Sequence, residues 1–216
     1  MPPLEPIVLN AAEARVLGAL IEKEATTPEY YPLSLNALIN ACNQKSNRHP
    51  VVDYDEETVS EALARLRHKR YAAVIVGSGR VSKYAQRLSE TLNLGRRELA
   101  ALCTLLLRGA QTLGEVKDRS ERIYNFADLE ETERVLEKMA EFPLGALARK
   151  LPRQPGQKEQ RYAQVLSGEP LLEVEMDAPV VSGGGRVAQL EAEVVALKNE
   201  FAELKRRFEE LEAALK

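Results

Sequence analysis

The residue types able to carry chemistry are few, and their spacing does not favour it. The chain holds two histidines, His49 and His68, and two cysteines, Cys42 and Cys103. Neither histidine stands near a cysteine at a metal-ligand spacing, so no metal is expected. The acids Asp53, Asp55, Glu56 and Glu57 suggest paired carboxylates, but acids also gather at helix N-termini, where the backbone dipole favours them. Gly77-Ser78-Gly79 reads as a hairpin turn, not a phosphate loop or a nucleophile elbow. Cys42 and Cys103 fall on apolar helix faces as small core side chains, and His68 among Arg65, Arg67, Lys69 and Arg70 reads as a solvated helix end. The expectation is a protein that is not an enzyme and uses no cofactor.

The same inventory suits contact with nucleic acid better. The run Asn43-Gln44-Lys45-Ser46-Asn47-Arg48-His49 is longer and more polar than a turn requires. Further cations fall where a hairpin and a preceding helix would present them. The expected contacts to duplex DNA are Lys45, Asn47, Arg48, Arg65, Arg80 and Lys83, and the second half offers Arg134, Lys138, Arg149, Lys150, Arg153, Lys158 and Arg161. One feature opposes this reading. Glu56, Glu57, Glu130 and Glu131 stand at the starts of the helices that would enter the groove, and they would face phosphates. Docking of protein partners is the alternative.

An internal repeat supplies the elements that position these side chains. Leu9, Glu13, Val16, Leu17, Leu20 and Ile21 recur as Leu94, Glu98, Ala101, Leu102, Leu105 and Leu106, the apolar stripe of a first helix in each half. Ser34 and Thr112 each suit the start of a second helix, Thr112 with Glu115 forming a capping box. Asp55 and Asp128 open a third, whose apolar face is Val59, Ala62, Leu63 and Leu66 in one copy and Val135, Leu136 and Met139 in the other. Each half closes on a hairpin that ends in the same tripeptide, Tyr84-Ala85-Gln86 and Tyr162-Ala163-Gln164. Three helices and a two-stranded wing, taken twice, predict a mainly α fold with small β wings (α+β): two tandem winged-helix domains.

Residues 1–8 read as an extension, 9–90 and 91–168 as the two domains, 169–185 as an acidic, glycine-containing linker and 186–216 as a coiled coil. In that last stretch Val187, Leu190, Val194, Leu197, Phe201, Leu204, Phe208 and Leu211 alternate gaps of three and four. The flanking pairs Glu193 with Lys198, Glu200 with Lys205 and Arg207 with Glu212 are all attractive in a parallel in-register homodimer. A single helix folded back on the body is the alternative.

The net charge of −3 is unevenly spread: residues 169–216 carry 11 acids against 6 bases, whereas residues 9–88 carry 11 bases against 9 acids. An acidic total therefore does not exclude a nucleic-acid partner for the body. Two cysteines fit a reducing compartment. The start of the chain has no basic or apolar leader pattern, and no apolar run is long enough for a bilayer, so a cytoplasmic protein without membrane contact is expected.

Several strings resemble the YceH-like family of bacterial proteins of unknown function. They are Glu13-Ala14-Arg15-Val16-Leu17-Gly18, Glu22-Lys23, Thr26-Thr27-Pro28, Tyr31-Pro32-Leu33-Ser34 and Ala41-Cys42-Asn43-Gln44-Lys45-Ser46-Asn47-Arg48 in the first half. The second half adds Leu105-Leu106-Leu107-Arg108-Gly109-Ala110-Gln111-Thr112, with Arg119, Arg122, Tyr124 and Phe126. The resemblance implies a tandem winged-helix fold and carries no activity and no ligand residues with it.

Overall fold

The computed structural model describes residues 8–75, 81–153 and 156–168, together with residue 205. The expected coiled-coil positions Val187 to Leu211, the linker, the turn around Ser78 and the candidate Arg80 lie outside the described residues.

Helix α1 (Ala11–Thr26) starts at a reciprocal cap. The Asn10 side chain accepts the Glu13 backbone N–H at 2.8 Å, and the Glu13 carboxylate accepts the Asn10 backbone N–H at 2.7 Å. A 3-10 turn at Pro28–Tyr30 leads to β1 (Leu33–Ser34), α2 (Leu35–Cys42), α3 (Glu56–His68), β2 (Ala72–Ile75) and β3 (Lys83–Gln86). A short helix α4 (Leu88–Thr91) then precedes α5 (Arg96–Arg108), β4 (Gln111–Thr112), α6 (Leu113–Ser120), α7 (Leu129–Ala140), β5 (Ala148–Lys150) and β6 (Arg161–Gln164). The fold is α+β, with seven α-helices and two small antiparallel sheets among the described residues.

The caps fall where the sequence places them. Ser34 and Thr112 cap α2 and α6, Thr112 in a full capping box with Glu115, and Asp55 and Asp128 cap α3 and α7. Gly109 closes α5 with φ +72°, a backbone conformation that glycine adopts without a side-chain clash.

The sheets correct one expectation. Each hairpin gains a third strand of two residues, so the orders are β1-β3-β2 and β4-β6-β5. Tyr84 lies opposite Leu33 on one side and Val74 on the other, and Tyr162 lies opposite Gln111 and Lys150. The repeated tripeptide is thus the central strand of each sheet, held in the same register in both halves.

The two halves share one apolar core and form one compact unit. Helices α1 and α5 make its most extensive helix–helix packing. Gly18 permits their approach: a Cβ there would lie 2.8 Å from Leu107 Cδ2, inside any normal contact distance. The Cys103 thiol donates to the Gly18 carbonyl at 3.4 Å. Gly18 and Cys103 occupy equivalent positions of the repeat, and contact between equivalent positions is what a local two-fold relation produces. At the far edge the Leu9 N–H donates to the Leu166 carbonyl at 2.6 Å, joining the start of the first half to the end of the second.

Candidate interaction surface

The polar segment between α2 and α3 folds inward. Arg48 is 6% exposed. Its Nε and Nη2 donate to the Ala41 carbonyl at 3.1 and 2.9 Å, and Nη1 and Nη2 reach the two Glu22 carboxylate oxygens at 3.1 and 2.6 Å. It also donates to the Asn47 carbonyl and to Gln44 Oε1. Burial works to raise the Glu22 carboxyl, but the hydrogen bonds and charges of Arg48 and Lys23 outweigh it and hold Glu22 below the ordinary carboxylate range. Arg48 is therefore a clasp between this segment, the α2 carbonyl end and α1. Its guanidinium, expected as a phosphate contact, is engaged with partners inside the protein.

The neighbours are similarly engaged. Asn43 bonds Tyr54 in both directions, Nδ2 to the carbonyl at 2.8 Å and Oδ1 from the N–H at 2.9 Å. Asn47, in the left-handed region at φ 60°, accepts a hydrogen bond from Arg108 on α5, and the His49 N–H donates to the Leu107 carbonyl at 2.8 Å. Buried Arg15 donates to the Cys42 and Pro50 carbonyls. Asn47 is thus exposed, with its amide oxygen tied across to the second half.

Of the remaining candidates, Lys45 and Lys83 are exposed and make no ion pair among the described residues. Arg65 is exposed but pairs with Glu61 at 2.7 Å one turn away on α3. The second hairpin carries exposed Arg149, Lys150, Arg153 and Lys158, with Lys150 bound to Glu133 at 3.0 Å and stacked over the Tyr162 ring at 5.4 Å. Lys138 is drawn to Glu98 at 2.7 Å.

The exposed faces of α3 and α7 are acidic where they begin. Residues 53–64 contain Asp53, Asp55, Glu56, Glu57 and Glu61 and no lysine or arginine. Residues 128–140 contain Asp128, Glu130, Glu131, Glu133 and Glu137 against Arg134 and Lys138. Glu131 takes the Ala127 N–H at 2.8 Å and the Tyr124 hydroxyl at 2.9 Å, bonds that lower its carboxyl from the ordinary range. Two exposed aliphatic side chains close to these acids in sequence were passed over, Val51 at 56% ahead of Asp53 and Leu129 at 49% in the first turn of α7. Leu129 interrupts the acidic start of α7, and that apolar residue among caps was the available signal.

The thiols are sequestered. Burial pushes the Cys42 thiol up to about 12 and that of Cys103 further, so neither supplies a thiolate near neutral pH. Among the described residues no three His, Cys, Asp or Glu side chains are placed to hold a metal ion, and no helix is long and apolar enough to cross a membrane.

Residues 9–157 match a family model described as a protein of unknown function, DUF480. The chain is similar to a UPF0502 protein of Solibacter usitatus, 56% identical over 93% of this chain and 98% of that one. A UPF0502 protein of Citrifermentans bemidjiense is 53% identical over 86% of this chain and 88% of its own length, and one of Pelobacter propionicus 51% over 93% and 94%.

Proposed function

Because the chain belongs to the DUF480 family of bacterial proteins of unknown function, we propose from its own geometry that it is a non-catalytic docking scaffold of the cytoplasm. Its body is two winged-helix units in tandem. The order helix, short strand, two helices and hairpin, repeated with matched caps and strand register, supports that reading. The C-terminal heptads from Val187 to Leu211 pair two copies as a parallel coiled coil.

One observation carries the choice of partner. The third helix of each unit, the element that enters the major groove in DNA-reading winged helices, begins on carboxylates, and in the second unit the exposed Leu129 stands among them. Phosphates would be repelled from both faces, whereas a protein surface with cations around an apolar contact would fit them. Fold alone does not decide between such uses. Reversing the charge tests it. In Glu56→Lys/Glu57→Lys, duplex DNA affinity at low salt rises above that of the wild type. Saturable binding of duplex DNA by the wild type at low salt, strengthened further by the reversal, would instead place DNA on this face.

A DNA-contacting regulator is the second reading. Exposed Lys45 and Lys83 without ion pairs, and the cations Arg153 and Lys158 of the second hairpin, favour it. It requires binding that weakens with salt at a log–log slope of about −0.9 per phosphate contact.

A further inference from the structure

We infer that the cleft between the two repeats binds a compact oxyanion, inorganic phosphate or a small polycarboxylate, through Arg108, Arg119 and Arg122. The cleft encloses about 270 Å³ and is lined by Glu22 and Asn47 from the first repeat and by these three arginines, Asp118 and Glu121 from the second. That volume lies just below the range typical of drug-sized ligands, which suits a small anion.

The charges lining it are unevenly satisfied. Both Glu22 oxygens are taken by Arg48 and Lys23, which do not line the cleft. Among the described residues Arg108 hydrogen-bonds the neutral amide of Asn47; burial and the like charges of Arg119 and Arg48, partly offset by Glu22, make its guanidinium easier to deprotonate than usual. Arg119 shares the Glu115 carboxylate with Arg161, at 3.0 and 3.4 Å, and also donates to Gln111. Arg122 is exposed and has no hydrogen bond or ion pair among the described residues. Asp118 and Glu121 are exposed and bond none of the three.

Among the described residues the three guanidiniums hydrogen-bond or ion-pair one carboxylate, Glu115, which Arg119 shares with Arg161, while Glu22, Asp118 and Glu121 also line the cleft. Their planar donor forks match the geometry of phosphate and carboxylate oxygens. An anion bound there would relieve the repulsion around Arg108. It would also join α6 to the segment that Arg48 and Asn47 fasten to α1 and α5, so occupancy should stabilise the whole body. The inference is independent of how the α3 and α7 faces are used.

The test titrates the full chain with inorganic phosphate and with citrate at matched ionic strength, read by calorimetry and thermal unfolding. Saturable binding is expected, with a midpoint rise of about 3–6 °C at roughly ten times the dissociation constant. Arg122→Gln, which removes no internal bond, should weaken it about tenfold, as loss of a charge-assisted contact does. Arg119→Gln should do the same, and Arg153→Gln on the second hairpin should leave it unchanged. If neither anion binds saturably, or if Arg122→Gln and Arg119→Gln both respond like the wild type, the assignment is overturned.

Discussion

The two repeats share caps, register and helix order, yet they close the gap before their third helix in opposite ways. In the first, residues 43–55 are held by a polar clasp. Arg48 reaches Ala41, Gln44 and Glu22, Asn43 brackets Tyr54, and Asn47 crosses to Arg108. In the second, residues 121–128 form an apolar plug. Ile123 and Phe126 are buried, Phe126 meets Tyr124 edge to face at 4.9 Å, and Arg97 lies 5.4 Å over the Tyr124 ring. A longer connection leaves more backbone polar groups to satisfy, and a single arginine with five donors meets several at once. A shorter one has fewer such groups and can be filled by a ring.

The difference sets distinct vulnerabilities. Arg48→Ala should show the largest effect, about 3–5 kcal/mol in denaturant unfolding, because it strips Glu22 of its bidentate partner in a semi-buried site, leaving Lys23 alone, and unpairs the Ala41 carbonyl. Arg48→Lys should recover only part of that, since an ammonium cannot reproduce the fork. Phe126→Ala should cost a comparable 3–5 kcal/mol or so, through a cavity and not through charge. A clasp variant whose unfolding matched the wild type would remove the polar half of the comparison.

Acid should separate the same two connections. The carboxyl of Glu22 titrates below its ordinary value of 4.5 in the folded protein, so its contribution is fully present at neutral pH. That contribution is lost as pH falls from about 4.5 through the lower folded value. Unfolding of Phe126→Ala should therefore keep the wild-type acid dependence, and that of Arg48→Ala should flatten. Parallel acid profiles for the two variants would show that Glu22 is not the group concerned.

Glycine positions sharpen the contrast further. Gly18→Ala should destabilise by about 1–3 kcal/mol, because Leu107 must move from the α1–α5 contact. Gly114, inside α6 with nothing within 4 Å of an added Cβ, should gain about 0.5 kcal/mol as alanine. The smallest expected difference lies in the caps. Thr112→Ala breaks a reciprocal box and should cost about 1 kcal/mol, and Ser34→Ala, which loses a single 3.3 Å bond, somewhat less. Equal losses would mean that the Glu115 arm of the box contributes nothing measurable.

The parts of this architecture legible in the sequence are those set by local rules. Asp55, Thr112 and Asp128 announce helix starts because a short polar side chain can reach the third N–H on. The tripeptide Tyr-Ala-Gln marks the central strand twice because the same sheet needs the same register. The two-residue strands β1 and β4 were not legible, since so short a run has no periodicity and pairs with a strand some fifty residues away. The burial of Arg48 was not legible for a related reason. Arginine in a polar run is ordinarily at the surface, and the carboxylate that draws it inward, Glu22, lies far back in the chain on α1. The acidic starts of α3 and α7 were plain from the sequence, but the exposed Val51 and Leu129 beside them needed the packing around them to be seen.

The central claim is that the α3 and α7 faces meet a protein. Photo-cross-linking from positions 57 and 130 of the full chain in living cells tests it most directly. The expected result is a discrete adduct at both positions that protease removes and nuclease does not. Adducts at either position that nuclease removes would contradict the claim and return these helices to DNA.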